Sequence, residues 1–232
     1  ATVARYRFLD HLSPDDLERL RRLVTLFLHA KPVHGAGGME VDERIRVAIA
    51  LQACVLVLNL DLDYYRGWVE VIVYPGEFVA KYDYTDENGV VHEVEEPMAG
   101  ESWHNGPVIL SWEDAEMAGS GEGYNVVIHE FAHKIDMLNG PPDGFPPLHA
   151  NMSRAAWTTA FNSAYEDFCR RVDAEDEVPF DDYAAENPSE FFAVASEAFF
   201  ERPDAVASFY PAVYEQLRLF YRQDPAAGRS AV

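Results

Sequence analysis

Apolar residues in residues 1–60 recur at the spacing of an amphipathic helix. In the first such segment, one helix face consists of Leu17, Leu20, Val24, Phe27 and Leu28. Side chains three or four positions apart lie together on a helix, so this face predicts a helix that ends before Pro32. Ser13 followed by Pro14 is typical of a helix N-terminus. Asp42 precedes a second segment with apolar residues at helical spacing. The pattern therefore predicts two packing helices in this part of the chain.

After Gly67 the apolar period changes from that of a helix to that of a strand. Four short segments are rich in β-branched and aromatic residues, namely Trp68 to Tyr74, Phe78 to Tyr84, Val90 to Val94 and Pro107 to Trp112. Asn88-Gly89, between the second and third segments, is typical of a hairpin turn. We expect these segments to form a small mixed β-sheet of about four strands in residues 67–112.

The place of the fourth strand in the sheet decides whether it can bind a ligand. Pro107 lacks a ladder donor and is tolerated mostly at sheet edges or strand starts, which favours an edge strand. An edge strand would offer unpaired backbone groups to another extended segment. Val108, Ile109 and Leu110 suit an interior strand equally well. The edge position is the one that we predict.

Helical spacing returns in residues 123–225. The predicted helices are Val126 to Asp136, Ala156 to Val172, Ser189 to Glu201 and Pro211 to Arg222. Residues 173–187 are acidic and irregular. No internal repeat, low-complexity tract or linker divides the chain into separate units. The sequence therefore predicts one α+β domain over residues 1–232, in which an N-terminal helical part, a β-sheet part and a C-terminal helical part follow each other.

The charge of the chain limits its partners. It has 40 acidic and 18 basic residues and a formal net charge of −22, so neither nucleic acid nor an anionic membrane is an expected partner. The two cysteines, Cys54 and Cys169, fall on predicted apolar helix faces and do not indicate a disulfide framework. The first residues lack an apolar signal core, and no run of about 18 apolar residues occurs. We therefore expect a cytoplasmic protein.

The helix predicted at Val126 to Asp136 contains the motif His-Glu-x-x-His. His129 and His133 are four positions apart, so both imidazoles point to one side of the helix, where they can hold one zinc ion. Glu130 lies about 100° around the helix from His129 and is the candidate general base. The alternative is an amphipathic helix with two incidental histidines. Because apolar residues surround the motif on nearly every side, these polar groups need partners, and a metal supplies them.

Catalytic zinc usually has three protein ligands, so a third ligand must come from outside this motif. The arrangement with a third histidine six residues after the second is excluded, because Asp136 and Asn139 stand where Gly and His are required. His149 is a candidate on a loop, although loop histidines are more often solvated. Asp136 follows His133 by three positions and is expected either to hydrogen-bond a ligand imidazole or to form a surface salt bridge.

Two acids on the helix after Pro188 are better candidates for the third ligand. Glu190 and Glu197 are seven residues apart and therefore share one helix face. One of them would bind the metal and the other would act behind it. Glu190 also fits a capping box that begins at Asn187, and Glu197 also fits an exposed helix acid. Spacing alone leaves both possibilities open.

Separated segments in most parts of the chain form a further signal. They are Ile49 to Cys54, Gly100 to Ser102, Gly123 to Ile128, His129 to Asp136, Asp182 to Ala185, Asn187 to Phe200 and Phe220 to Pro225. In this order they closely resemble the Mlc titration factor A family of zinc peptidases, which is similar in fold to the catalytic domain of anthrax lethal factor. The resemblance implies a single zincin-like domain whose active-site helix carries His-Glu-x-x-His.

Carried over position by position, the resemblance implies that His129, His133 and Glu190 bind one Zn²⁺ per chain. It also implies that Glu130 is the general base and that Tyr183 stabilises the transition state. Glu197 is then expected to lie behind a metal ligand, as Asp136 is.

The function that the resemblance implies is zinc-dependent peptide hydrolysis of the aminopeptidase type. Glu130 would take a proton from a zinc-bound water and return it to the leaving amine, and Tyr183 would donate to the oxyanion. The family also binds the glucose repressor Mlc, so the implied partners are a peptide or protein substrate and a transcription repressor of the Mlc type. The alternative function is a regulatory protein that sequesters such a repressor, with the metal site secondary. Intact Glu130 argues against that alternative, because a purely structural metal site has no use for a base.

Overall fold

The computed structural model describes residues 6–85 and 91–227. Within these residues the helices are α1 (Pro14–Ala30), α2 (Glu43–Leu56), α3 (Trp112–Met117), α4 (Val126–Asp136), α5 (Arg154–Asp173), α6 (Pro188–Glu201), α7 (Pro203–Phe209) and α8 (Pro211–Tyr221). The strands are β1 (Val33–Gly35), β2 (Val71–Tyr74), β3 (Phe78–Thr85), β4 (Val91–Met98), β5 (Gly100–Ser102) and β6 (Val108–Ser111). The predicted α+β class is confirmed.

The predicted starts of the two N-terminal helices are confirmed by their caps. The Ser13 hydroxyl accepts from the Asp16 N–H at 3.1 Å, and the Ser13 N–H donates to the Asp16 carboxylate at 3.3 Å. The Asp42 carboxylate accepts from the Ile45 N–H at 2.8 Å. These contacts satisfy N–H groups that have no partner within their own helix. The apolar faces of α1 and α2 then pack against each other.

The main sheet has four strands in the order β1, β2, β6, β5. β1, β2 and β6 are parallel, and β5 is antiparallel to β6, so the predicted mixed sheet of about four strands is confirmed. Its membership differs from the prediction, because β3 and β4 pair only with each other in a separate sheet of two strands. In the main sheet, β1 and β5 occupy the two outer positions, and they replace β3 and β4 of the predicted sheet. Each has three residues, which is too short for an alternation of apolar and polar positions to be visible. The turn predicted at Asn88-Gly89 lies outside the described residues.

The prediction that residues 107–112 form an edge strand is wrong. β6 pairs with β2 on one side and with β5 on the other, and Val108 and Leu110 are fully buried. Pro107 precedes the strand, where the missing N–H costs no ladder bond. It therefore marks the start of an interior strand, and the edge of the sheet beyond β6 is β5.

Two short helices were absent from the sequence-based prediction. α3 has six residues and α7 has seven, which is fewer than two helical turns. A helical period cannot be recognised over so few positions. By contrast, the predicted bounds of α4, α5, α6 and α8 agree with the structure to within two residues.

α4 lies in the centre of the core. It packs against α2, α6 and β5, and its residues Val127, Ile128 and Phe131 are fully buried. The Phe131 ring is surrounded by three aromatic rings, with centroid distances of 5.7 Å to Phe27, 5.1 Å to Tyr65 and 5.6 Å to Trp68. Aromatic packing of this kind fixes the helix in position and rotation.

The two cysteines are free, as expected, with Cys54 buried and Cys169 partly buried. Burial raises the pKa of the Cys54 thiol, so this residue behaves as a small apolar side chain. Among the described helices, none has both the length and the apolar character needed to cross a lipid bilayer.

Phe131→Ala tests the role of this aromatic cluster. We expect a loss of about 3–5 kcal/mol in the free energy of unfolding, because the change removes a buried ring and leaves a cavity. Urea denaturation measures the loss, and Leu26→Ala on the exposed side of α1 is the control, with an expected change within about 0.5 kcal/mol. Equal effects of the two substitutions would contradict the central position of Phe131.

Candidate metal centre

The helix that carries the His-Glu-x-x-His motif begins at a buried cap. The Asn125 side chain accepts from the Ile128 N–H at 3.0 Å, and the Asn125 carbonyl accepts from the His129 N–H at 3.0 Å. Because the other faces of α4 are packed in the core, His129 and His133 lie on the side that meets α6. Their side chains are 12% and 8% exposed. Both histidines are therefore largely buried between these two helices.

Three ligand atoms converge between α4 and α6. His129 Nε2 and His133 Nε2 are 3.1 Å apart, and Glu190 Oε2 lies 3.0 Å from the first and 3.2 Å from the second. Two ligands at about 2.0 Å from a zinc ion, separated by the tetrahedral angle, are about 3.3 Å apart. The three side chains thus form a candidate metal site with the spacing of three corners of a tetrahedron.

The far side of each imidazole indicates which nitrogen is free to bind a metal. His129 Nδ1 lies 2.7 Å from Glu197 Oε1, and an ionised carboxylate can only accept, so Nδ1 carries the proton. His133 Nδ1 lies 3.2 Å from the Ser189 hydroxyl, which can donate onward to Asp136 at 3.4 Å. Both contacts leave Nε2 as the atom with the lone pair. This is the protonation pattern that a ligating histidine needs.

The charges of this cluster are coupled. Burial lowers the pKa of His129, but its hydrogen bonds to Glu190 and Glu197 raise it more, and the pKa lies well above its usual value. Burial acts to raise the pKa of Glu190, but the hydrogen bonds of His129 and His133 lower it below the usual carboxyl range. Both shifts favour a positive charge beside the Glu190 carboxylate. A cation can supply that charge, so the donor set fits a divalent metal.

Glu130 lies on the side of α4 that faces β5. It is 5% exposed, and burial raises the pKa of its carboxyl group above the usual value, opposed by His129 and His133. A Cβ atom on Gly100 would lie 2.5 Å from Glu130 Oε1, so only glycine allows the strand to approach this closely. The Ser102 hydroxyl donates to the Glu130 carbonyl at 2.9 Å. The carboxylate is thus confined between α4 and the edge strand.

Tyr183 lies on a 3-10 turn, Asp182–Ala185, and lines the same cleft as Glu130. Its backbone N–H donates to Asp181 at 2.9 Å, which fixes the turn. The ring centroid is 6.1 Å from that of His129, and the side chain is 43% exposed. Tyr183 therefore borders the space in front of the histidines.

Asp136 is linked to the ligand cluster through Ser189, and His149 lies outside the cluster. Asp136 accepts from the Gly144 N–H at 2.8 Å and reaches His133 only through Ser189. It is fully buried, so it forms no surface salt bridge, and burial raises the pKa of Asp136 to about 6. His149 Nε2 lies 2.8 Å from the Phe220 carbonyl and is not part of the ligand cluster.

Sequence reasoning missed three side chains that support the site: Ser189, Ser102 and Asn125. Ser189 precedes Glu190 directly, but a serine in the first turn of a helix is so common that it gives no signal by itself. Ser102 belongs to a strand that is too short to predict. Asn125, immediately before the first residue of α4, does fit the expected N-cap pattern and could have been found on that basis.

The cleft in front of the cluster has a volume of about 590 Å³. Apolar residues Val126, Val178, Phe180 and Val194 form part of its lining. Two exposed acids, Glu122 and Asp181, also line it. A cleft of this size can take a few residues of a peptide.

A buried helix with His-Glu-x-x-His, a carboxylate from a second helix and an adjacent sheet edge together have the form of a zincin-type metallopeptidase site. Residues 1–222 match the family described as glucose-regulated metallo-peptidase M90. The chain therefore belongs to the M90 family of metallopeptidases, and the resemblance recognised in the sequence is confirmed.

Similar proteins are named Mlc titration factor A. The one from Cronobacter sakazakii is 38% identical over 216 residues, which cover 92% of this chain and 82% of that protein. Those from Klebsiella pneumoniae and Escherichia fergusonii are each 36% identical over 219 residues, which cover 94% of this chain and 83% of each relative.

Metal binding tests the assignment of the third ligand. We expect the purified protein to bind one zinc ion per chain and Glu190→Gln to lose most of it, because a neutral amide is a poor zinc ligand. Glu197→Gln should retain the ion with an affinity lowered by about 10- to 100-fold, because no ligand is lost but the amide cannot accept from both His129 and Asn125. Elemental analysis and competition with a chelator measure both effects.

The matched control is Glu186→Gln, the same chemical change on an exposed acid just before α6. We expect it to leave zinc binding unchanged. Retention of zinc by Glu190→Gln together with its loss from Glu197→Gln would exchange the roles of the two acids.

Proposed function

We propose that the protein is a zinc-dependent peptidase that hydrolyses peptide bonds in the cleft between β5 and the turn at Tyr183. The observation that carries this proposal is the convergence of His129 Nε2, His133 Nε2 and Glu190 Oε2 within 3.0–3.2 Å beside the buried carboxylate of Glu130. Membership of the M90 family supports it. Bound by these three side chains, Zn²⁺ would supply the Lewis acidity that activates water and polarises a carbonyl group.

Glu130 is the proposed general base. It accepts a proton from the attacking water and returns it to the amine that leaves. The burial that raises the pKa of this carboxyl group supports the role, because a base is more effective when its pKa approaches the working pH. The close approach of the Gly100 backbone limits the space around the carboxylate.

Tyr183 is the proposed donor to the oxyanion. Its place in the lining of the cleft that also contains Glu130 and His129 supports a hydroxyl that stabilises the negative charge developing on the carbonyl oxygen. Its side chain is 43% exposed and therefore accessible to a bound peptide. Tyr183 thus acts on the reacting atoms within the same cleft as the base.

Aminopeptidase action is the finer part of the proposal. An enzyme that removes N-terminal residues must hold the α-ammonium group of its substrate, and the exposed carboxylates of Glu122 and Asp181 in the cleft supply the required negative charge. The apolar lining formed by Val126, Val194 and Phe180 favours an apolar substrate side chain beside it. The proposed substrates are therefore peptides with a free N-terminus and an apolar residue near it.

The substrate backbone is proposed to add to the edge of the sheet at β5. Ala99 O accepts from Ser111 N, Glu101 is opposite Ile109, and Trp103 N donates to Pro107 O. Since the pairs of an antiparallel ladder alternate, the N–H and C=O groups of Gly100 and Ser102 point away from β6. These groups offer hydrogen bonds to an extended peptide beside Glu130.

Ser102→Pro tests the role of β5. Proline removes the outward N–H and leaves the ladder to β6 intact, so we expect KM for a peptide to rise by about 10-fold with little change in zinc content. Ser102→Ala is the matched control, because it loses the hydroxyl bond to Glu130 and keeps the N–H. Equal KM values for the two variants would show that the peptide does not use this edge.

Glu130→Gln tests the general base. We expect hydrolysis to fall by about 100-fold or more, with zinc content and melting temperature unchanged, because the amide cannot accept the proton. Peptide hydrolysis followed by mass spectrometry measures the loss. If activity stays within a few-fold of the unmodified protein while zinc remains bound, another group is the base.

A regulatory protein is the second candidate function. The relatives carry the name Mlc titration factor A, which supports a proposal that this chain also binds a repressor of the Mlc type. Glu130→Gln separates the two functions. Repressor binding measured by calorimetry should survive this change, since Glu130 lies inside the cleft and not on the outer surface. Loss of binding together with hydrolysis would mean that the repressor occupies the cleft.

A further inference from the structure

Glu201, the last residue of α6, is a buried acid that the proposed mechanism does not use. It is 2% exposed. Its Oε1 accepts from Asn125 Nδ2 at 2.8 Å, and its Oε2 accepts from the Gly121 N–H at 3.1 Å. Burial raises its pKa, opposed by these hydrogen bonds. A buried carboxylate is unfavourable unless its oxygens are paired, so both contacts are needed to keep it in place.

Asn125 is the residue through which Glu201 reaches the metal centre. It is fully buried, and each of its polar groups has a partner. Its backbone N–H donates to Glu197 Oε2 at 2.5 Å, its side-chain oxygen caps α4 at Ile128, and its carbonyl accepts from the His129 N–H. The remaining group, Nδ2, is held by Glu201. The capping amide is therefore held from both ends, by the Ile128 N–H at its oxygen and by Glu201 at its nitrogen.

Three acids of α6 act on α4 at successive levels. Glu190 meets the histidines at the ligand cluster, Glu197 binds His129 Nδ1, and Glu201 holds Asn125 one turn before His129. The separation of 3.0 Å between His129 Nε2 and Glu190 Oε2 depends on the position of the first turn of α4 relative to α6. Metal–ligand distances tolerate only about 0.2 Å of error, so a small shift of this turn matters.

We propose that Glu201 is a positioning residue for the metal centre. It is not one of the proposed metal ligands. By holding Asn125 and the backbone at Gly121, it sets the position of His129 relative to Glu190. This inference rests on the proposed metal site. It predicts that loss of the contact between Glu201 and Asn125 lowers metal affinity without removing any ligand.

Two variants remove that contact from opposite sides. Glu201→Gln keeps the size of the side chain, but the amide has one oxygen and one NH2 group. It therefore cannot accept at both ends from Asn125 Nδ2 and the Gly121 N–H. Asn125→Ser keeps a good N-cap for α4 and loses only the donor to Glu201. We expect each variant to raise the Kd for Zn²⁺ by about 10- to 100-fold. The Kd of the double variant should be close to that of the weaker-binding single variant, because both substitutions remove the same interaction.

Chelator competition with Zn²⁺ gives the affinities, and the visible absorption spectrum of the Co²⁺-loaded protein reports the ligand geometry. The control is Val24→Ala in the core at α1, which should lower the melting temperature and leave both the affinity and the Co²⁺ spectrum unchanged. If Glu201→Gln does not fold, Asn125→Ser provides the same test.

Affinities within two-fold of the unmodified protein and an unchanged Co²⁺ spectrum in both variants would overturn the inference. An unmodified protein that binds neither Zn²⁺ nor Co²⁺ would instead overturn the proposed function. The two failures are therefore distinguishable in one set of measurements.

Discussion

The structure depends on the burial of polar side chains along α4. Glu130, His133, Lys134 and Asp136 are each less than 10% exposed, although the helix lies in the centre of an apolar core. Such groups are stable only with partners, and the chain supplies them from several loops. Lys134 donates to the carbonyls of Trp103 and Gly106, and Asp136 accepts from the Gly144 N–H. The hydrogen bonds of these buried α4 side chains thus anchor the loop after β5 and the loop before α5.

The partner of α4 with the greatest consequence is α6. Its acids contact His129 Nδ1 and accept from Asn125, so one helix holds both the first histidine and the N-terminal cap of α4. The same helix supplies Glu190 to the ligand cluster. Because these contacts share two rigid elements, the geometry of the site is set by one packing interface rather than by flexible loops. Such preorganisation favours a metal that prefers tetrahedral coordination.

The sheet contributes the third side of the site. β5 is only three residues long, and Gly100 allows it to lie directly against Glu130. A longer side chain at this position would separate the strand from the helix. The short antiparallel strand therefore brings the Gly100 backbone close to the Glu130 carboxylate.

Much of the fold and half of the ligand geometry could be predicted from local rules. The periodicity of apolar residues located α1, α2, α4, α5, α6 and α8, because a helix repeats at a spacing visible within a few turns. The four-residue spacing of His129 and His133 placed both on one face for the same reason.

Contacts between distant segments followed only from the tertiary structure. Spacing did not separate Glu190 from Glu197, and family resemblance was needed to choose between them. The relay from His133 through Ser189 to Asp136, the interior position of β6 and the edge position of β5 were not predicted, because each depends on how segments far apart in the chain pack. The sequence by itself determined which helices form and which side chains share a face. Tertiary packing decided which acid meets the histidines, because that choice depends on the relative position of two helices about 60 residues apart in the chain, to which local periodicity does not apply.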